Sequence, residues 1–196
     1  MGKLRFFLAL WAGKCAYYAL RALGRRATYL PGKIAARLCP DLLARIQKPA
    51  RVVVVTGSNG KTTVSNMLGD VLTGAGRRVL SNRLGSNVQA GVASCLLGGV
   101  TVFGKAKFDI AILEMDERSS LKILPFVKPD FMAVTNLFRD SIMRNAHPAY
   151  IAGFLDAVPK TTKLILNADD PISSRVAPGN PRAYFGVERM DADVTD

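Results

Sequence analysis

The chain has 196 residues, 49% of them hydrophobic and 21% charged, a balance that fits a globular protein with a sizeable core and excludes a disordered one. Its formal net charge of +12 and isoelectric point near 10.0 attract polyanions: nucleic acid, an anionic membrane surface or a nucleotide. There is no RNP pattern, zinc-finger spacing or aromatic-interleaved basic stripe, so no nucleic-acid partner is expected.

The cysteines, Cys15, Cys39 and Cys95, are too few and too widely spaced for a disulfide framework or a zinc site, and fit buried thiols in a reducing cytoplasm. The N-terminal segment predicts a helix. Its longest uncharged run, Phe6 to Gly13, is far too short to span a bilayer, and Lys14 and Arg21 interrupt it where a signal peptide would stay apolar. At helical spacing Lys3, Lys14, Arg21 and Arg25 share a narrow stripe that Arg5 does not join. Two readings stand: a helix lying on the inner, anionic face of the cell membrane, or a helix docked on its own domain with the stripe in water.

Next, "YLPGKIAARLCPDLLARIQKPA" reads as a turn at Pro31–Gly32, a short helix, a break at Pro40 and a second short helix. Val52–Val55 is a continuous β-branched run, as in a buried parallel strand, and Lys61 to about Leu72 a helix ended by glycines. Arg77–Leu80 is a strand and Val88–Leu97 a helix. Strands are expected at 108–115, 131–137 and 163–167, with a helix near Pro148–Val158. Beyond Asp170 the sequence reads as loop. The alternation defines an α/β fold, a P-loop-type, mostly parallel sheet flanked by helices. We divide it into an N-terminal helical extension, 1–49, and an ATP-binding domain, 50–196, apparently incomplete at its C-terminus.

The informative run is "VVVVTGSNGKTTVSNML", Val52 to Leu68. A phosphate loop needs glycines so that main-chain N–H groups can approach the anion, a lysine for the β- and γ-phosphates, and a hydroxyl for Mg²⁺, all at a helix N-terminus. Gly57, Ser58, Asn59, Gly60, Lys61 and Thr62, followed by Thr63, supply each part between a strand and a helix. Where the general loop has its first glycine, this chain has Val55, so the loop is a shortened variant. Glu114, Asn136 and Asn167 each end a predicted strand, on the edge where open α/β sheets bind ligands. Glu114 is the expected metal partner of Thr62, because Mg²⁺ takes oxygen ligands and keeps several waters. Asp116 and Glu117 read as helix-start acids.

These residues resemble the ATP-dependent Mur ligase family, whose loop reads T-G-T/S-N-G-K-T. The supporting pieces are "LPGKIA" (30–35), "TGSNGKTT" (56–63), "NRLGSN" (82–87), "LEMDE" (113–117), "TNLFRD" (135–140) and "LNADDP" (166–171). "NRLGSN" and "NLFRD" point within it to the ligase subunits of lipid II isoglutaminyl synthases, which lack the UDP-binding domain of other Mur ligases, as the short segment before the loop would suit. The resemblance implies the fold of the Mur ligase central ATPase domain, ATP and Mg²⁺ as cofactors, and peptidoglycan (cell-wall) biosynthesis. It implies transfer of the γ-phosphoryl group to a carboxylate, giving an acyl phosphate that an amine attacks. In this branch the carboxylate is that of D-glutamate in the lipid II stem peptide, and ammonia comes from a GatD-like glutaminase partner. Lys61 and Glu114 would be the catalytic residues. Thr62, Glu114 and Ser86 would serve metal, and Asn87, Asn136 and Asn167 would join the loop around the nucleotide.

The sequence departs from the family pattern after the third motif. Asp140–Ser141 stands where many members have Asp-His, and "DSIMRNAHPAY" (140–150) replaces a more acidic loop; its His147 reads as surface structure. The family continues into a four-cysteine zinc ribbon, the rest of the ATPase domain and a C-terminal domain, so this chain is expected to cover the N-terminal half of the pattern with no zinc site of its own. Two other functions stay open: a ligase with a soluble acceptor, of amino-acid-adding or folylpolyglutamate type, and a non-catalytic, membrane-apposed nucleotide-binding module.

Overall fold

The computed structural model describes residues 2–83, 86–137 and 157–187, with Gly153 and Leu155. The expected helix near 148–158, Asp140, Ser141 and His147 therefore lie largely or wholly outside the described residues. Six strands, all paired in parallel, form one sheet among the described residues: β1 (Arg51–Thr56), β2 (Val79–Ser81), β3 (Ile110–Glu114), β4 (Phe131–Val134), β5 (Lys163–Asn167) and β6 (Arg182–Phe185). The spatial order is β2-β3-β1-β4-β5-β6. After β1 the chain builds one side of the sheet, then crosses over β1 to build the other. The crevice at such a reversal lies at the carboxyl end of β1, where the glycine-bounded loop begins.

The β-branched and apolar runs are strands because both faces are covered. Val54, Val55, Ala111, Ile112, Met132, Val134, Leu164 and Leu166 are fully buried. The helices are α1 (Gly2–Ala22), α2 (Leu30–Leu38), α3 (Leu42–Arg45), α4 (Lys61–Gly74), α5 (Gln89–Gly98) and α6 (Ser120–Val127). Ala9, Leu10, Ala35, Leu42, Leu43 and Ile46 belong to the same hydrophobic cluster as the strands and α5, so the first three helices pack into the common core.

Three expectations change. Pro31–Gly32 is not a turn but the first turn of α2, where a missing proline N–H costs no intrahelical bond. Gly32 is there for packing: a Cβ would lie 2.0 Å from the Ala90 carbonyl oxygen of α5, and its N–H donates to Ser94 Oγ at 2.7 Å. The segment beyond Asp170 is not all loop, because Arg182–Phe185 adds the half-exposed strand β6. Finally, α1 is docked on the domain, but its basic stripe does not lie wholly in water. Lys14 is 4% exposed and donates to the carbonyls of Leu97, at 2.9 Å, and Val100, at 2.6 Å. It thereby satisfies oxygens that the C-terminus of α5 leaves without helical partners. Burial, then the nearby Lys107 charge, pushes its pKa below the usual lysine range. No helix among the described residues is long and apolar enough to cross a membrane.

Candidate active site

Gly57 leaves β1 at φ 129° and Gly60 precedes α4 at φ 80°, both in the region that favours glycine. The two differ in surroundings. A Cβ on Gly57 would stand 2.2 Å from Thr135 Oγ1 and 2.8 Å from the Asn136 carbonyl, whereas one on Gly60 would meet nothing within 4 Å. The first glycine lets the loop press against the end of β4; the second leaves open space at the start of the helix, which suits the approach of an anion.

The loop is tied down from both sides. Ser58 N–H donates to the Asn136 carbonyl at 2.8 Å, and Asn59 N–H to Asn136 Oδ1 at 2.9 Å. Thr135 Oγ1 donates to the Asn59 carbonyl at 2.6 Å. Asn167 Nδ2 in turn donates to the Thr135 carbonyl at 2.9 Å, and its Oδ1 accepts from Asp169 N–H at 2.9 Å. Asn136 and Asn167 therefore brace the loop in this conformation. The N–H groups of residues 57, 58 and 59 are all engaged, and the donors at the head of the helix begin with α4 itself, where Thr62 and Thr63 are exposed.

Lys61 folds back over the loop, donating to the carbonyls of Gly57 and Ser58. Its ammonium stands 3.5 Å from Glu117 Oε1, and the same oxygen accepts Gly57 N–H at 3.1 Å. Glu117 is therefore more than a helix-start acid. Burial pushes its carboxyl pKa up, against the opposing pull of Lys61. Asp116 does act as expected, accepting from the N–H groups of Arg118 and Ser119 to cap a 3₁₀ turn.

Across the crevice, Thr62 Oγ1 donates to Glu114 Oε2 at 2.8 Å, and Asn87 Nδ2 reaches Glu114 Oε1 at 3.4 Å. The backbone of Glu114 is held by one side chain: Asn82 Oδ1 accepts its N–H and Asn82 Nδ2 donates to its carbonyl, each at 2.8 Å. Ser86 lies beside this group, its Oγ 3.5 Å from Val88 N. Thus Lys61, Thr62, Glu114, Ser86 and Asn87 converge on one crevice, with Asn136 and Asn167 behind the loop. The hydroxyl and carboxylate pair suits Mg²⁺, a hard cation that takes oxygen donors and fills its octahedron with water and phosphate oxygens. No cluster of three or more acidic, histidine or cysteine side chains that could hold a metal occurs among the described residues.

Sequence reasoning missed Glu117, Thr135, Asn82 and Asp170. Asp170 is buried and accepts Leu137 N–H at 2.7 Å, tying the end of β4 to the segment after β5. All four fall inside or beside motifs quoted above, but their partners are remote in sequence.

A parallel sheet whose central strand feeds a glycine-bounded loop and the head of a helix belongs to the phosphate-loop class of α/β domains. Residues 55–191 match the Mur ligase middle domain, and the chain belongs to the Mur ligase family. It is 35% identical over 189 residues to the lipid II isoglutaminyl synthase (glutamine-hydrolyzing) subunit MurT of Streptococcus pneumoniae, covering 94% of this chain and 41% of that protein. To the MurT subunit of Staphylococcus aureus it is 34% identical, with 94% and 42% covered. The chain thus spans about two fifths of the length of these relatives. Among solved structures it shares its fold with the MurF ligase of Thermotoga maritima in complex with ADP, at a TM-score of 0.60 and 20% identity over 81% of this chain and 37% of that one. A pseudomurein peptide ligase type C from Methanothermus fervidus superposes at a TM-score of 0.56 with 27% identity, covering 76% and 30%.

Proposed function

We propose that this chain is the ATP-binding part of an amide ligase that activates the D-glutamate carboxylate of the lipid II stem peptide, with ammonia delivered by a GatD-like glutaminase subunit. On this reading residues 50–196 belong to the central ATP-binding domain and 1–49 form its helical extension. The observation that carries it is the 2.8 Å contact between Thr62 and Glu114 at the head of the loop helix. The similarity to the MurT subunits supports the acceptor and the partner.

In this scheme Thr62 Oγ1 and Glu114 hold Mg²⁺, with Ser86 and Asn87 beside them. The bound ion supplies charge neutralisation between phosphate oxygens. Lys61 exchanges the loop carbonyls and Glu117 for the β- and γ-phosphates, and the amides at the head of α4, beginning at Gly60, receive phosphate oxygens. Positioning and charge stabilisation are what phosphoryl transfer requires of a protein. The exposed apolar residues Leu4, Leu8, Trp11 and Tyr18 fall on one side of α1, which supports work at the inner membrane face, where a lipid-linked acceptor would be found.

Calorimetry with a nonhydrolysable ATP analogue tests the reading. Binding should need Mg²⁺ and should fall at least about tenfold in Lys61→Ala. Unchanged affinity in that variant would refute it. Supplying lipid-linked and soluble acceptors to the full-length protein with its glutaminase decides between lipid II and a soluble acceptor by which one drives ATP consumption.

A further inference from the structure

A second cavity opens beside the phosphate loop, and its walls are basic. It has a volume of about 390 Å³ and is lined by Arg21, Arg25, Arg26 and Arg83, with Asn82 and Ser94 among the polar groups on its walls. Arg83 is neutralised by Asp70, with contacts of 2.6 and 3.0 Å. The other three have no carboxylate partner within 4.0 Å among the described residues. Arg21 only donates to Tyr17 OH at 3.3 Å and sits 5.7 Å over that ring. Three uncompensated guanidiniums around one cavity repel one another, and an anion placed among them removes that repulsion.

The location gives the cavity a role. Asn82, in its wall, is the residue whose side chain holds both backbone groups of Glu114. A ligand anchored by the arginines therefore lies one residue away from the acid of the phosphate site. Guanidinium groups match phosphate oxygens in paired, planar contacts, which ammonium groups do not. We propose that this cavity binds the diphosphate of the acceptor substrate, holding its anionic end while the reacting carboxylate reaches the loop. The acceptor's identity rests on the function proposed above; the anion site rests on the cavity alone.

Titration of inorganic pyrophosphate into the Lys61→Ala chain, where the loop is disabled, isolates this site. Saturable binding is expected, and adding Arg25→Ala with Arg26→Ala should weaken it at least about tenfold. Arg77→Ala with Lys105→Ala removes the same charge elsewhere and should change affinity less than about twofold. Equal losses in both double variants would reduce the effect to the general field, and absence of saturable binding would remove the site; either result overturns the proposal. Arg25 and Arg26 are exposed, so the fold should survive, and Arg25→Gln with Arg26→Gln repeats the test if the alanine pair unfolds. Geranyl diphosphate binding tighter than UDP assigns a lipid-linked source, and the reverse a nucleotide-linked one. If neither exceeds orthophosphate, the diphosphate assignment falls. Loss of Mg-nucleotide binding with pyrophosphate binding intact would instead count against the ligase reading.

Discussion

Glu117 and Lys61 face each other over the loop at 3.5 Å, with Glu117 also fixed to Gly57 N–H. The lysine that would meet phosphate is thus held by a carboxylate that phosphate must displace. Glu117→Gln keeps an oxygen for Gly57 and removes the competing charge. Nucleotide affinity should rise about 3–10-fold, read by titration of a fluorescent ATP analogue. The buried carboxyl titrates above its ordinary value of 4.5, so the folded state binds this proton more tightly than the unfolded one. Its contribution to stability is complete below that value and is lost as pH rises through the raised pKa, so the glutamine variant should lose this pH dependence.

Gly57→Ala sets a methyl group against Thr135 and Asn136 in a backbone region that L-residues avoid. A stability loss of about 2–4 kcal/mol in urea unfolding is expected, together with loss of nucleotide binding. Gly60→Ala carries only the backbone strain, about 1–2 kcal/mol. Equal costs at the two positions would contradict the packing argument.

Lys14→Met keeps the buried stem but leaves the carbonyls of Leu97 and Val100 without their donor. Desolvation of the ammonium is relieved at the same time, and the unpaired oxygens at a helix C-terminus outweigh it. A net loss of about 1–3 kcal/mol should appear in chemical denaturation, with hydrogen-exchange protection lowered first in α5.

Lys48 gives a pH signature. Burial, then the charge of Lys128, depresses its pKa from the ordinary 10.5 to about 8. Between those values the unfolded chain holds the proton more tightly, so folding stability attributable to this group rises with pH and is lost as pH falls through about 8. After allowance for solvent screening the span is about 1–2 kcal/mol. Lys48→Met should flatten the curve of unfolding free energy against pH over that window.

The sheet was legible because its strands are apolar on both faces, and the loop because glycine, lysine and threonine occur together only for a narrow set of reasons. Glu114 was legible as a polar residue ending an apolar run. What escaped depends on tertiary neighbours. Gly32 looked like a turn because nothing local signals the α5 backbone against it. Lys14 matched a surface stripe in spacing, yet its partners lie more than eighty residues away. Arg182–Phe185 is too short and too exposed for its periodicity to stand out from a proline-rich stretch. Glu117 read as a capping acid because its neighbour Asp116 is one.

The side chain of Asn82 stands in for one further peptide unit of β2: it offers Glu114 an acceptor and a donor as a paired strand would, after the strand itself has ended at Ser81. The main chain is thereby released from the sheet edge a residue early without letting go of the acid. Relatives can lengthen or recompose the stretch that follows Asn82, and so alter what is presented above the crevice, while the acid keeps its place; tolerance to variation in one element and constancy in the other are built into a single amide.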